Sequence, residues 1–366
     1  MTAFPQIPHF ALKKFLGSGG AADVFLAVDQ KHSRLVAIKV LTNTRFSDNV
    51  AVRRFIKEAQ TISRLHHPNI VRLYGTGKAN DQHFMVMEFL PESLKRRIRE
   101  RGRIGLQESL AIVNQVASAL FYAHRRGFIH RDVKPDNIMF RADGTPVILD
   151  FGIARVLEAT SKITRSGTSL GTPRYMSPEQ LSAKRVDGRS DVYSLGVVLF
   201  EMLSGAPPFK GSHTMSVALK HIREPVPQLP AELAHCQPLI ERMMAKDREQ
   251  RIAGEGEWRE LITPLLKPFK LPKVSRQSLA GLPSPRDRET TRLSAGTAVP
   301  GAKKDRPTLS RRQPRRKNRR RWLLNLLLVL AVSAWLFFNY ERLPGLFHAL
   351  WRAILSGFSA LLDKIR

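Results

Sequence analysis

The sequence predicts a mixed α+β fold over residues 10–268, followed by three segments that do not belong to it. Three observations carry this. Residues up to about 268 alternate between strand-like and helix-like apolar patterns in a globular composition. Residues 269–321 are rich in Pro, Gly, Ser, Thr and Arg and lose all apolar periodicity, the mark of a disordered basic linker. Residues 322–340 then run for 19 positions without a formal charge, and 341–366 form a short amphipathic tail.

Composition narrows the function classes. The chain has 366 residues and a net charge of +29, with 43% hydrophobic residues, which excludes a chain disordered throughout. A single cysteine, Cys236, excludes an intramolecular disulfide framework and fits a reducing compartment. Residues 1–10 have neither a charged n-region nor an apolar h-region, so no secretory signal peptide is predicted. The densest basic run, Arg311 to Arg321, has 8 basic residues in 11 and abuts the apolar stretch. That placement points to anionic membrane lipids rather than nucleic acid as the principal partner, at ~1 kcal/mol per basic residue near the surface.

Nineteen residues at ~1.5 Å rise span about 28 Å, close to the hydrocarbon core of a bilayer. Trp322 and Tyr340 stand at the two ends, where amphipathic rings favour the interface. A buried core helix would need a globular partner, and only 26 residues follow. The sequence thus predicts a single-pass transmembrane helix over 322–340. The basic excess on its N-terminal side keeps residues 1–321 in the cytoplasm, at the inner membrane, and sends the tail outside. In that tail Leu343, Leu346, Phe347, Leu350, Trp351, Ile354, Leu355 and Phe358 share one half of a helical wheel. Such a helix lies in the interface or against a second copy, so a homodimer is a further expectation.

Within the globular part, the first element with chemical content is Leu16-Gly17-Ser18-Gly19-Gly20-Ala21-Ala22-Asp23-Val24, set between two strand-like stretches. Glycines let backbone amides approach phosphates with no Cβ in the way, but taken alone the run is a weak signal. A dinucleotide-binding reading requires a helix to start here, and the β-like continuation argues against it. Next comes the strand Val36-Ala37-Ile38-Lys39-Val40, with a lysine that needs either a partner or a snorkelling stem. A helical pattern over Phe55, Ile56, Ala59, Ile62 and Leu65 offers Glu58. Taken separately, a surface salt bridge accounts for both charges.

The deciding segment is His130-Arg131-Asp132-Val133-Lys134-Pro135-Asp136-Asn137, followed by a short strand and Asp150-Phe151-Gly152. With the glycine-rich loop, strand lysine and helix glutamate in order before it, the sequence resembles the eukaryotic-type protein kinase superfamily, in its bacterial serine/threonine form. Gly171-Thr172-Pro173-Arg174-Tyr175-Met176-Ser177-Pro178-Glu179, Asp191 and Arg251 continue the series. The resemblance covers residues 10–268. It implies a two-lobed fold, with a small β-rich N-lobe over about 10–90 and a larger, mainly α-helical C-lobe over about 91–268.

The roles below are those the resemblance implies. Lys39, kept in place by Glu58, holds the α- and β-phosphates of ATP. Asp150 and Asn137 ligate Mg²⁺, with Mn²⁺ as an alternative; a hard cation that keeps its waters suits such oxygen donors. Asp132 orients the substrate hydroxyl and accepts its proton, and Lys134 offsets charge on the γ-phosphate. Leu16, Val24, Ala37 and Met139 sandwich adenine, Glu88 to Leu90 form the hinge and Met87 is the gatekeeper. Phe151, Thr172, Asp191 and the Glu179–Arg251 pair have structural roles.

Three positions depart from the family pattern. Ala22 replaces the third glycine, Ser177 replaces the alanine of A-P-E, and His83 is expected at an apolar position of the spine joining the lobes. Asp132-x-Lys134 and Thr172 both point to Ser/Thr hydroxyls of protein substrates as acceptors. Between Gly152 and Thr172, the residues Thr164, Ser166 and Thr168 are candidate sites of autophosphorylation, because Arg131 stands ready to pair with a phosphate. The alternative function is a membrane-anchored pseudokinase scaffold. Against it stands the complete set Lys39, Glu58, Asp132, Asn137 and Asp150.

Overall fold

The structure is a computed structural model that describes residues 5–19, 22–42, 49–151, 173–280 and 282–284. The chain folds into two lobes. The smaller is an antiparallel five-stranded sheet in the order β1-β2-β3-β5-β4, formed by β1 (Phe10–Ser18), β2 (Ala22–Asp29), β3 (Arg34–Leu41), β4 (Leu73–Ala79) and β5 (Gln82–Glu88). Period-2 alternation divides β3 between two cores. Val36, Ile38 and Val40 pack with Ile7, Phe25, Ala27 and Val86 on one face. Leu41 faces the other way, joining Met85, Met87 and Val71 against helix α1 (Asn49–Ser63). Lys39 therefore lies on the α1 side of the sheet by pleat alone.

Helix α1 begins six residues earlier than the apolar pattern from Phe55 suggests, and its buried stripe is Phe55, Ala59 and Ile62. Ile56, counted with that stripe from its spacing, is 39% exposed. His83 does not join a spine between the lobes. It pairs with Lys78 near the β4–β5 turn and lines a groove behind α1, because the strand register places it at the far end of β5.

The larger lobe starts with β6 (Glu92–Ser93), α2 (Leu94–Arg101) and α3 (Leu106–Arg125), then a second sheet in the order β6-β7-β8 with β7 (Ile138–Phe140) and β8 (Pro146–Ile148). Beyond Pro173 come α4 (Pro178–Leu181), α5 (Gly188–Ser204), α6 (Thr214–Arg223), α7 (Gln237–Met244), α8 (Glu255–Ile262) and the short α9 (Arg276–Leu279). Helix α5 is buried on nearly every side, as its apolar run from Val192 to Leu203 dictates. It packs between α3 and α7, and the contact with α7 depends on Gly196. A Cβ there would stand 2.8 Å from Met243 Cβ and from Met244 Cγ. Cys236 is buried in this core as a free thiol.

Among the described residues no helix is long and apolar enough to cross a membrane. Segments 322–340 and 341–366 and the basic run 311–321 lie outside the described residues, as do Gly20, Ala21, Gly152, Thr164, Ser166, Thr168 and Thr172.

Candidate active site

The cleft between the lobes gathers charged side chains from four separate segments: β3, α1, the 130–137 loop and the loop after β8. Lys39 Nζ donates to Glu58 Oε1 at 2.7 Å and to Asp150 Oδ1 at 3.0 Å. Strand β3, helix α1 and the loop after β8 thus meet at one ammonium. Burial works to lower the Lys39 pKa, but Asp150 and Glu58 outweigh it and hold the amine firmly charged. Burial pushes the Glu58 carboxyl up to about 7, with Lys39 pulling against it and Asp150 adding to the push. Asp150 is shifted the other way: burial would raise it, and the Lys39 charge wins and keeps it ionised. The surface salt bridge that would account for Lys39 and Glu58 separately is replaced by a triad in which Lys39 and Glu58 are mostly covered and Asp150 opens to the cleft.

The catalytic loop is held by one carboxylate. Asp191, at the start of α5, accepts the backbone N–H of His130 at 2.8 Å and of Arg131 at 2.7 Å, together with His124 Nε2 at 2.7 Å. Arg131 has φ +65°, a left-handed conformation that costs a non-glycine residue of order 1 kcal/mol or more. Two N–H bonds into Asp191 offset that cost, and Gln180 Nε2 holds the Arg131 carbonyl at 2.9 Å. His130 Nε2 donates to Leu149 O at 2.6 Å and its Nδ1 accepts from the Asp132 N–H at 3.2 Å, which assigns the neutral tautomer. The His130 ring also packs at a tilt against Phe151, with centroids 4.8 Å apart, joining the loop to the Asp150 segment.

Asp132 sits at the mouth of this arrangement. Lys134 Nζ donates to its Oδ2 at 2.7 Å. Asn137 Nδ2 donates to the Asp132 carbonyl at 2.8 Å and to Oδ2 at 3.2 Å, which leaves Asn137 Oδ1 as the oxygen able to accept a cation. Among the described residues no group of three or more His, Cys, Asp or Glu side chains is placed to hold a metal. The donors on offer are an amide and a carboxylate oxygen, a set that fits a hard divalent cation sharing its shell with water and phosphate.

The nucleotide end of the cleft is apolar. Met87 and Leu90 are buried in one cluster with Val147, and Met139 packs against them. Ala37 lies opposite Met87 in the sheet and Val24 opposite Lys39. Leu16, at the outer rim, is 41% exposed. The glycine-rich turn is closed by Gly19 N–H donating to Ala22 O at 2.7 Å. The methyl of Ala22 is buried with Leu41 and Phe55, so alanine in place of the third glycine fills core space without entering the cleft. Ser18 and Gly17 end β1, and Asp23 pairs in register with Ser18.

On the other side of Asp132 opens a pocket of about 350 Å³, and several of its residues, Lys95, Asp136, Ser194 and Glu201 among them, were assigned no role from the sequence. Lys95, Asp136, Arg174, Tyr175, Met176, Ser194 and Glu201 line it together with Arg131, Asp132 and Lys134. Tyr175 donates to Glu201 Oε2 at 2.7 Å, and Lys95 pairs with Asp136 at 2.7 Å. Tyr175 and Glu201 are 26 residues apart and no motif links them; only the packing of α5 beneath the 173–175 turn does. Beneath this floor Arg251 forks onto Glu179, Nη1 to Oε1 at 2.7 Å and Nη2 to Oε2 at 2.8 Å, and Ser190 donates to the same carboxylate.

Comparison with known proteins agrees with this geometry. Residues 10–262 match the protein kinase domain. The chain is similar to the serine/threonine-protein kinase PknA of Mycobacterium tuberculosis, 35% identical over 321 residues, covering 84% of this chain and 74% of that one. It is also similar to the serine/threonine-protein kinase PrkC of Bacillus subtilis, 41% identical over 220 residues, which are 60% of this chain and 34% of PrkC. Among solved structures, the kinase domain of Mycobacterium tuberculosis PknI superposes with a TM-score of 0.55 at 26% identity, covering 71% of this chain and 97% of that one.

Proposed function

The chain belongs to the protein kinase domain family, and from that membership we infer how this serine/threonine protein kinase moves the γ-phosphate of ATP to a protein hydroxyl. Phosphoryl transfer asks a protein for positioning and charge neutralisation more than for covalent chemistry. Lys39 grips the α- and β-phosphates, and its bonds to Glu58 and Asp150 fix where the ammonium points. Asn137 and Asp150 would hold the divalent cation, which would supply positive charge against the triphosphate. Asp132 receives the acceptor hydroxyl from the neighbouring pocket and takes its proton as the new P–O bond forms and the bond from the γ-phosphorus to the β–γ bridging oxygen breaks, releasing ADP. Lys134, 2.7 Å from Asp132, keeps that carboxylate aimed and offsets charge on the phosphate in transit.

One observation carries this reading: Lys39, Glu58 and Asp150 are bonded to one another, and Asp132 is bonded to Lys134 and Asn137. A scaffold that no longer catalyses would be expected to lack or misplace one of these residues. Transfer of radiolabel from ATP-Mg²⁺ to a generic serine/threonine acceptor tests the reading. Wild-type protein should label the acceptor, and Lys39→Ala and Asp132→Asn should each lose at least 10²-fold. Equal incorporation by all three proteins would overturn it.

Two finer readings extend the proposal. One or more of Thr164, Ser166 and Thr168 is a site of autophosphorylation, supported by Arg131 Nε, which is buried and finds no acceptor among the described residues. Phosphopeptide mapping after incubation with ATP-Mg²⁺ should find modification between residues 153 and 172, and none there would refute it. The chain is anchored by 322–340 at the cytoplasmic membrane, with Arg311 to Arg321 on anionic lipid and the tail promoting a homodimer. Charge and apolar length in the sequence support this. Recovery in the soluble fraction after lysis would count against the anchor.

A further inference from the structure

The segment just past the matched domain, which ends at residue 262, does not leave the surface at once. Leu271 and Val274 pack against the core of the larger lobe, with Val274 only 5% exposed. Val274 N–H donates to Ala142 O at 3.2 Å, so the segment lies along the turn that joins β7 to β8. The fit on the turn's other side is equally close. Gly144 has φ +92°, and a Cβ there would stand 2.3 Å from the Pro272 carbonyl oxygen. Only glycine serves both the backbone angle and the approach of this strap.

The residue that opens the same turn reaches the hinge. Arg141 forks onto the Glu88 carboxylate, Nε to Oε2 at 2.8 Å and Nη2 to Oε1 at 2.9 Å, while its Nη1 donates to Pro68 O at 2.6 Å. Glu88 Oε1 also accepts the Arg72 N–H at 2.8 Å, and Glu88 N–H donates to Arg72 O at 3.0 Å. The Glu88 backbone at the end of β5 is thus fixed from both sides. Two planar groups joined by two parallel bonds define an orientation as well as a distance, which a lysine at position 141 could not do.

We propose that Arg141 is a positioning residue for the adenine-binding backbone of the hinge, and that the strap 271–274 sets its position through the β7–β8 turn. This rests on the reading of the cleft as an ATP site. Residues 271–274 open the stretch 269–321 that composition alone reads as a disordered linker, yet they pack on the larger lobe, so whatever binds the rest of that stretch acts first on Ala142 and Gly144, and through Arg141 on the affinity for nucleotide.

The test uses the full chain, with steady-state kinetics in ATP-Mg²⁺, direct binding of a fluorescent ATP analogue and thermal melting. Arg141→Ala should raise KM for ATP and the analogue Kd about fivefold, with kcat within twofold of wild type. Arg141→Lys should leave that defect unrepaired. Val274→Asp, which evicts the strap without touching the turn, should raise KM two- to threefold. The double variant should be no worse than Arg141→Ala alone, since both act on one path. Unchanged KM in Arg141→Ala would overturn the proposal, as would a fall in kcat and melting temperature at constant KM, or additive effects in the double variant. Lys39→Ala separates this failure from that of the premise. If Lys39→Ala loses nucleotide while Arg141→Ala is normal, the ATP site stands and only the strap reading falls.

Discussion

Replacing Arg251 by methionine keeps the volume of a fully buried side chain and removes the partner of a buried carboxylate. Burial works to raise the Glu179 pKa, but the forked hydrogen bonds and charge of Arg251, with the Ser190 hydroxyl, hold it down to about 2 against an ordinary 4.5. At roughly 1.4 kcal/mol per tenfold in proton affinity, that depression is worth about 3 kcal/mol of stability at neutral pH. Both groups are almost wholly inside, Arg251 at 1% and Glu179 at 6% exposure, so solvent screening takes little away. Removing one partner of such a pair costs about 3–5 kcal/mol, a large share of the 5–15 kcal/mol that holds a typical domain together. The sign with pH is specific. In the wild type this contribution is complete above about pH 4.5 and is lost as pH falls toward 2. In Arg251→Met, burial without a partner raises the Glu179 pKa, so the variant becomes more stable as pH falls from 8 to 5, where the wild type gains nothing from this pair. Urea denaturation of both proteins followed by far-ultraviolet circular dichroism at pH 8, 6.5 and 5 measures this. Glu179→Gln/Arg251→Met should recover part of the loss, because no buried charge remains. A deficit below 1 kcal/mol at pH 8, or parallel pH profiles for variant and wild type, would refute the reasoning.

Three further outcomes are expected. Asp191→Asn leaves one oxygen for three donors, so kcat should fall at least tenfold and stability by about 2–3 kcal/mol, measured by kinase assay and urea denaturation. Glu58 must be ionised to hold Lys39, and its carboxyl is pushed up to about 7. Accordingly kcat/KM for ATP should decline as pH falls from 8 to 6, while Glu58→Gln should be slow and flat across that range. Gly196→Ala drives a methyl into Met243 and Met244 and should cost about 1–3 kcal/mol in denaturant, with KM for ATP unmoved because the site lies elsewhere.

The chemistry of the cleft was legible because it is written in short, contiguous words. His130 to Asn137 and Asp150 to Gly152 have fixed spacings, and within such words the residue types already name the job. Local patterns also placed the strand of Lys39 and the helix of Glu58. They erred where one turn of helix or one step of register decides, as with the exposed Ile56 and with His83 at the far end of β5. The pocket beside Asp132 stayed hidden for another reason. Tyr175 and Glu201, or Lys95 and Asp136, become neighbours only when distant segments pack.

The amino-acid order by itself thus determined which groups are present to bind phosphate, cation and hydroxyl, and which faces of the strands and helices must be buried. Only the tertiary structure decided that Lys39 shares its charge between Glu58 and Asp150, that Asp191 holds Arg131 in a left-handed turn, and that Arg141 reaches Glu88 at the hinge from the turn against which residues 271–274 pack. The reason is that hydrophobic patterning and backbone preference act over a few residues. A hydrogen bond between side chains 53 or 111 positions apart forms only after the cores on either side have closed around it.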